Sequence, residues 1–181
     1  MTRPLELRDY AGRFVMNGLG RTTWVWGVLS WEGQTDDEWY VLPDGRRIRQ
    51  VLEEGGIDTL PECWIKVTNT GKYPDIIWTG AGLFCFVSRR LLDVLEDLRV
   101  TGYRAIPLEL RPKRGEPVEG YSMLYFDDNE TDEIRPYPPT NRGSDAFDTT
   151  ARVKDALTEA GVVNLEVYDA VEWTKEVLAA Q

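Results

Sequence analysis

The stretch IIWTGAGLFCFVSRRLLDVLEDLRVTGYRAIPLEL, residues 76–110, leaves the chain little conformational choice. Two β-like runs, IIW and LFCFV, lead to Ser88, a good helix N-cap. In the following RRLLDVLEDL, Leu91, Leu95 and Leu98 share one helical face with Leu92 beside it, while Asp93, Glu96 and Asp97 turn away. Gly102 supplies a helix stop, and YRAIPLEL resumes as a strand. This is the outline of a phosphate-binding strand-helix-strand unit, and the position of its glycines decides whether it is one. A dinucleotide fold places the glycine-rich turn after the strand and at the helix N-terminus, where backbone N–H groups meet phosphate. Here Gly80 and Gly82 precede the strand, and the strand-to-helix junction VSRR has no glycine. The unit is therefore scaffold.

The segments on either side continue an α+β pattern. TTWVWGVLSWEG alternates bulky residues as a strand does, so strands are expected near 22–31 and 38–42, separated by the polar turn GQTDDE. The PDG at 43–45 is a turn, RRIRQVLEEGG reads as a short helix ending at Gly55, with a return strand as the alternative, and residues 63–68 as a strand. RPKRGEPVEG looks like a linker into the strand YSMLYF, and DDNETDEIRPYPPTNRGSD like a long polar loop. TTARVKDALTEAG is a helix stopped by Gly161, VVNLEV a strand, and DAVEWTKEVLAA a terminal helix with Asp169 and Glu172 placed for a capping box. The expected fold is a single α+β domain over residues 1–181, with residues 1–75 as a candidate tryptophan-rich sub-lobe. Its mixed or antiparallel sheet of about five to eight strands carries the helices 89–100 and 150–160 on one face. Trp24, Trp26, Phe84, Phe86, Leu91, Leu95, Leu98, Ile106 and Leu108 are the expected core.

Charge and composition remove several function classes. The chain of 181 residues carries a formal charge of −10 and has no histidine. That excludes a Ser-His-Asp triad, a Cys-His dyad and histidine-ligated zinc. An acidic chain with scattered Arg and Lys lacks the basic face that nucleic acid requires. No apolar run approaches a membrane span, and the N-terminus has no secretory h-region, so a cytoplasmic protein is expected. Cys63 and Cys85 both sit in hydrophobic company, where inert core thiols are expected. No cofactor is expected.

Three chemistries remain for the carboxylates. In DDNETDE, Asp127, Asn129 and Thr131 alternate like calcium-loop ligands, but Asp132 stands where such a loop needs glycine and Pro138 where it needs glutamate, so no metal site is expected. A glycosidase-type acid pair has no motif here to name it. The third option is that acidity itself is functional: Glu32, Asp36, Asp37 and Glu38 form one cluster, and Asp127, Asp128, Glu130, Asp132 and Glu133 a second. Two such exposed loops would attract a basic partner and speed encounter by about 10–1,000-fold.

Over residues 83–126 the chain resembles immunity proteins of bacterial polymorphic toxin systems, specifically the eleventh numbered immunity family. The resemblance rests on a strand ending in VS, the amphipathic helix RRLLDVLEDL, the Gly-aromatic step into GYRAIPLEL with its internal proline, and the Tyr-led strand YSMLYF. The chain departs from that pattern in having Pro107-Leu108-Glu109 in place of the valine form and Ser122 after Tyr121. The resemblance implies an α+β protein without catalytic residues that binds and neutralises a cognate toxin; no functional residue carries over by motif, and the two acidic clusters are expected from charge alone to make the contact. A carboxylate-dependent hydrolase acting on sugars or phosphoesters, and a phage-type anti-defence inhibitor, are the alternatives.

Overall fold

The structure, a computed structural model, describes residues 10–18, 24–34, 41–54, 56–77, 79, 84–126, 131–137 and 146–179. They form a single α+β domain with two sheets. The larger sheet is mixed and contains β2 (Gly27–Trp31), β3 (Cys63–Val67), β4 (Ile76–Ile77), β5 (Phe84–Ser88), β6 (Tyr103–Arg111) and β7 (Val118–Phe126), in the order β2-β3-β6-β7-β5-β4. Only the β3–β6 pairing in it is parallel. The smaller sheet is antiparallel and contains β1 (Arg13–Gly18), β8 (Ile134–Pro136), β9 (Phe147–Thr150) and β10 (Leu165–Asp169), in the order β10-β1-β9-β8. The helices are α1 (Ile48–Glu53), α2 (Arg89–Asp97), α3 (Ala151–Glu159) and α4 (Ala170–Ala179).

β5 shows why the larger sheet reads as a continuous apolar run rather than an alternating one. Phe84 and Phe86 enter one buried cluster with Leu29, Ile65, Leu110 and Met123, while Cys85 and Val87 enter another with Leu91, Leu95, Phe147 and Leu157. A strand buried on both faces loses the polar half of its alternation. The first cluster is the inside of a curl. A Cβ on Gly27, at one end of the strand order, would lie 2.7 Å from Ile65 and 3.1 Å from Ile77, which belongs to β4 at the other end. α1 contributes Ile48 and Val51 to this interior. The second cluster holds α2 and α3 and the inner face of the smaller sheet.

Several expectations need correction. Residues 1–75 divide between the sheets: β1 lies in the smaller, β2 and β3 in the larger. β1 escapes a periodicity reading because it is an interior strand with Met16 in one cluster and Val15 in another. The segment 111–120 is not a linker, since β7 begins at Val118 and its register against β6 shifts between Leu108 and Leu110, with Gly120 at φ 84. The polar stretch 127–145 contains β8, and β9 precedes α3. Trp24 and Trp26 flank β2 and are half-buried, as are Leu98 and Ile106, whereas Phe84, Phe86, Leu91, Leu95 and Leu108 are buried as expected. The expected strand at 38–42 falls largely outside the described residues. Asp169 caps α4 by accepting from Val171 N at 3.0 Å and Glu172 N at 3.1 Å, but the Glu172 carboxylate pairs with Lys175.

α2 begins as read, with Ser88 Oγ accepting from Leu91 N. Its stop is different. Val100 N donates to Leu95 O and Arg99 N to Glu96 O, so Arg99, at φ 54, holds the left-handed position of a Schellman cap. α3 ends the same way with glycine: Val162 N donates to Leu157 O, and Gly161 has φ 66. Gly102 has another task, because a Cβ there would lie 2.1 Å from Ile134 O where the chain presses on β8. An L-residue in this conformation costs about 1–2 kcal/mol. Arg99→Gly is therefore expected to stabilise the protein by about 0.5–1 kcal/mol, and Gly161→Ala to destabilise it by about 1 kcal/mol. Urea denaturation of the two variants checks both signs.

Candidate partner-binding face

α2 packs on β5 and β7, so one face of the larger sheet is covered at that end. The same face continues onto β6, β3 and β2, where its outward residues follow from strand alternation. In CWIKV, Ile65 and Val67 point into the curl and Trp64 and Lys66 away from it. In LELR, Leu108 and Leu110 point in, and Glu109 and Arg111 out. The register aligns Ser30 with Trp64, Val28 with Lys66, and Lys66 with Arg111.

Ser30, Trp64, Lys66 and Arg111, with Glu32 and Lys113, line a shallow cleft of about 480 Å³. The Arg111 guanidinium lies 4.0 Å from the Trp64 ring centroid and also pairs with Glu109. Its cation–π contact and its carboxylate partner fix it in place. Lys66 and Lys113 are exposed, and Ser30 lies below them. Glu32 stands on the rim in a tight turn closed by Gln34 N donating to Trp31 O, with Gly33 at φ 80.

The buried carboxylates elsewhere are held by arginines. Asp148, with 2% of its side chain exposed, accepts from Arg13 Nε and, in bidentate fashion, from Arg135 Nε at 3.1 Å and Nη2 at 3.0 Å. Arg13 also donates to the backbone oxygens of Asp132 and Glu133, both at 3.1 Å. Burial lowers the Arg13 pKa, opposed by Asp148. Asp75 accepts from Ser88 Oγ, from Arg90 and from Val163 N at 2.7 Å. Burial acts to raise its pKa, but the hydrogen bonds from Arg90, Ser88 and Val163 outweigh this and hold it below the ordinary carboxylate value. Burial, with Glu62 adding to it, pushes the half-buried Cys63 thiol up to about 11, Cys85 is buried, and neither forms a disulfide.

Of the acidic residues singled out from sequence, Glu32 lies on the cleft, and Asp132 and Glu133 lie together at the start of β8 in the other sheet. Asp132 and Glu133 are half-buried. The Glu133 carboxylate pairs with Arg152 at 2.6 Å, and Asp132 Oδ2 is buried without a hydrogen-bond partner among the described residues. Asp36, Asp37, Glu38, Asp127, Asp128 and Glu130 lie outside the described residues. Sequence reasoning passed over Trp64, Lys66, Arg111 and Lys113, although the alternation in CWIKV and LELR carries the signal. Among the described residues no helix is long and apolar enough to cross a membrane. No protein-family model matches the chain, and no curated protein matches it.

Two outcomes follow for the buried pairs. Asp148→Asn leaves two largely buried guanidinium groups without their anion and is expected to cost about 3–5 kcal/mol, read by urea denaturation. For Asp75, the depressed folded pKa means that its stabilisation is fully present above the unfolded value of about 3.9 and is lost as pH falls through the folded one. The stability gap between wild type and Asp75→Asn should be about 1–3 kcal/mol near neutrality and should close below about pH 4. Melting temperature measured against pH tests this.

Proposed function

We propose that the chain is a non-catalytic, immunity-type inhibitor that acts in the cytoplasm by binding and neutralising a cognate protein toxin. The observation that carries this reading is the end of the larger sheet that no described helix covers, where an aromatic side chain and an arginine lie together. Such preorganised Trp and Arg residues are the usual energetic anchors of protein interfaces. The buried carboxylates support the same reading, because Asp75 and Asp148 are committed to arginines inside the fold and serve it structurally. The net charge of −10 favours a toxin with a basic surface. Glu32 stands at the rim of the face, and in this proposal the acidic positions at 36–38 and 127–130 steer the encounter, while Glu133 is held by Arg152. The resemblance of residues 83–126 to immunity proteins points to the same class of partner.

The test is co-expression with the product of the neighbouring gene in a bacterial host. Growth should be rescued and a stable complex recovered by gel filtration. Trp64→Ala should lose rescue by weakening the complex at least about 30-fold, the scale of a hot-spot truncation, with its melting temperature nearly unchanged. Persistent toxicity beside abundant folded protein contradicts the proposal, as does a Trp64→Ala variant that protects as well as wild type.

A further inference from the structure

We infer that the turn between β6 and β7 is the part of the protein that enters its partner, with Lys113 and Arg114 fitted to a carboxylate-lined recess there. The inference rests on the reading above for the partner being a toxin. The turn, residues 112–117, joins two nine-residue strands. Both are interior to the sheet: besides each other, β6 pairs with β3 and β7 with β5. The base of the turn is therefore held from both sides. Pro112 and Pro117 bracket it, and Gly115 takes the positive φ, 98, that the reversal needs. Each proline fixes φ at about −65°, so the turn has little backbone freedom left to lose on binding.

Its charge sets it apart. Lys113 and Arg114 are exposed neighbours, and among the described residues neither forms an ion pair or a hydrogen bond. Other exposed cations are taken up by the molecule's own carboxylates, such as Arg46 by Asp44, Arg89 by Asp93 and Glu96, and Lys175 by Glu172. At the base of the same turn Arg111 is stacked on Trp64 and joined to Glu109. A chain with 31 acidic and 21 basic residues thus leaves two adjacent cations unanswered at the tip of a rigid turn.

A protein partner answers them with carboxylates, through charge-assisted hydrogen bonds. The turn is convex, so the surface it fits is concave. Long-range attraction and local fit divide the work: the net charge of −10 draws in a basic surface, and the two cations then select an acidic recess within it. An enzyme that holds an anionic substrate with basic residues and catalyses with carboxylates has that layout, and a turn bearing two cations plugs its catalytic recess.

The experiment reads the sign of one double substitution. In Lys113→Glu with Arg114→Glu each replacement changes the charge by two, taking the net charge from −10 to −14. If the turn only adds to the overall field, a basic partner binds this variant more tightly. The inference predicts the opposite: its affinity for the product of the neighbouring gene, measured by calorimetry, should fall about 30-fold or more, with an unchanged melting temperature. Exchanging the two residues, Lys113→Arg with Arg114→Lys, should stay within about threefold of wild type, since both charges remain. Unchanged or tighter binding by the double Glu variant overturns the inference. A second arm needs no toxin. Hexaglutamate titrated into the whole chain, isotopically labelled for NMR, should shift the amides of Lys113, Arg114 and Gly115 first, and less so at high salt. Shifts elsewhere, none at millimolar peptide, or tighter binding of the turn by inorganic triphosphate or an oligothymidylate also overturn it. Where the neighbouring product binds, the sign of the double substitution decides. Where it does not bind, the immunity reading falls and the hexaglutamate shifts decide for the turn. Full rescue by the double Glu variant removes the turn and leaves the immunity reading standing.

Discussion

A carboxylate with almost no solvent exposure, Asp75, sits where three parts of the chain meet. It accepts from Ser88 and Arg90 at the start of α2 and from the Val163 amide between α3 and β10, while its own carbonyl accepts from Ser88 N at 2.9 Å. The flanking backbone is tied as well: Tyr121 donates to Pro74 O and Asn164 Nδ2 to Ile76 O, both at 2.7 Å. One buried charge thus joins the end strand of the larger sheet, the helix on its face and the connection into the smaller sheet. Desolvating a carboxylate is costly, and only several donors converging on it make the arrangement stable.

With that joint in place, the larger sheet is packed on one side by its own curl and on the other by α2, α3 and the smaller sheet. Among the described residues the cover is incomplete for a geometric reason. A helix is about 10 Å across and strands are about 4.8 Å apart, so a single helix covers about two strands. α2 lies over β5 and β7, and the face beyond it carries Trp64, Lys66, Glu109 and Arg111 in place of leucines. The curl interior is continuous beneath that open face, through Ile65, Leu108 and Leu110. A rigid backing with a polar, aromatic front suits a surface that meets another protein.

The legible parts of the fold were those with strong local patterning. The strand, N-cap and leucine face of residues 84–98 follow from Ser88 and the Leu91, Leu92, Leu95 spacing, because local chemistry and burial agree there. Of the smaller sheet only β10 was marked, by VVNLEV, and the other strands were hidden. β1 is buried on both sides, β8 is three residues inside a proline-rich run, and β9 merges into the start of α3, so none shows a period. The end of α2 misled because Arg99 takes a conformation that glycine would ordinarily supply two or three residues on. Counting acidic residues marked Glu32 but also Glu133, whose carboxylate is taken up by Arg152. Charge density in a sequence does not reveal which arginine will fold against it. The face around Trp64 was overlooked for the opposite reason, since its residues are few, mixed in charge, and adjacent only through the register of three strands.

The central claim is that Asp75 couples the two sheets while the open face bears no part of that load. Native-state hydrogen exchange of Asp75→Asn tests it most directly. The account predicts that amides of β10, β1 and the α3 to β10 connection lose protection first and together, and by more than those of β3, β6 and β7. A uniform loss across both sheets, or an unchanged exchange pattern, would contradict it.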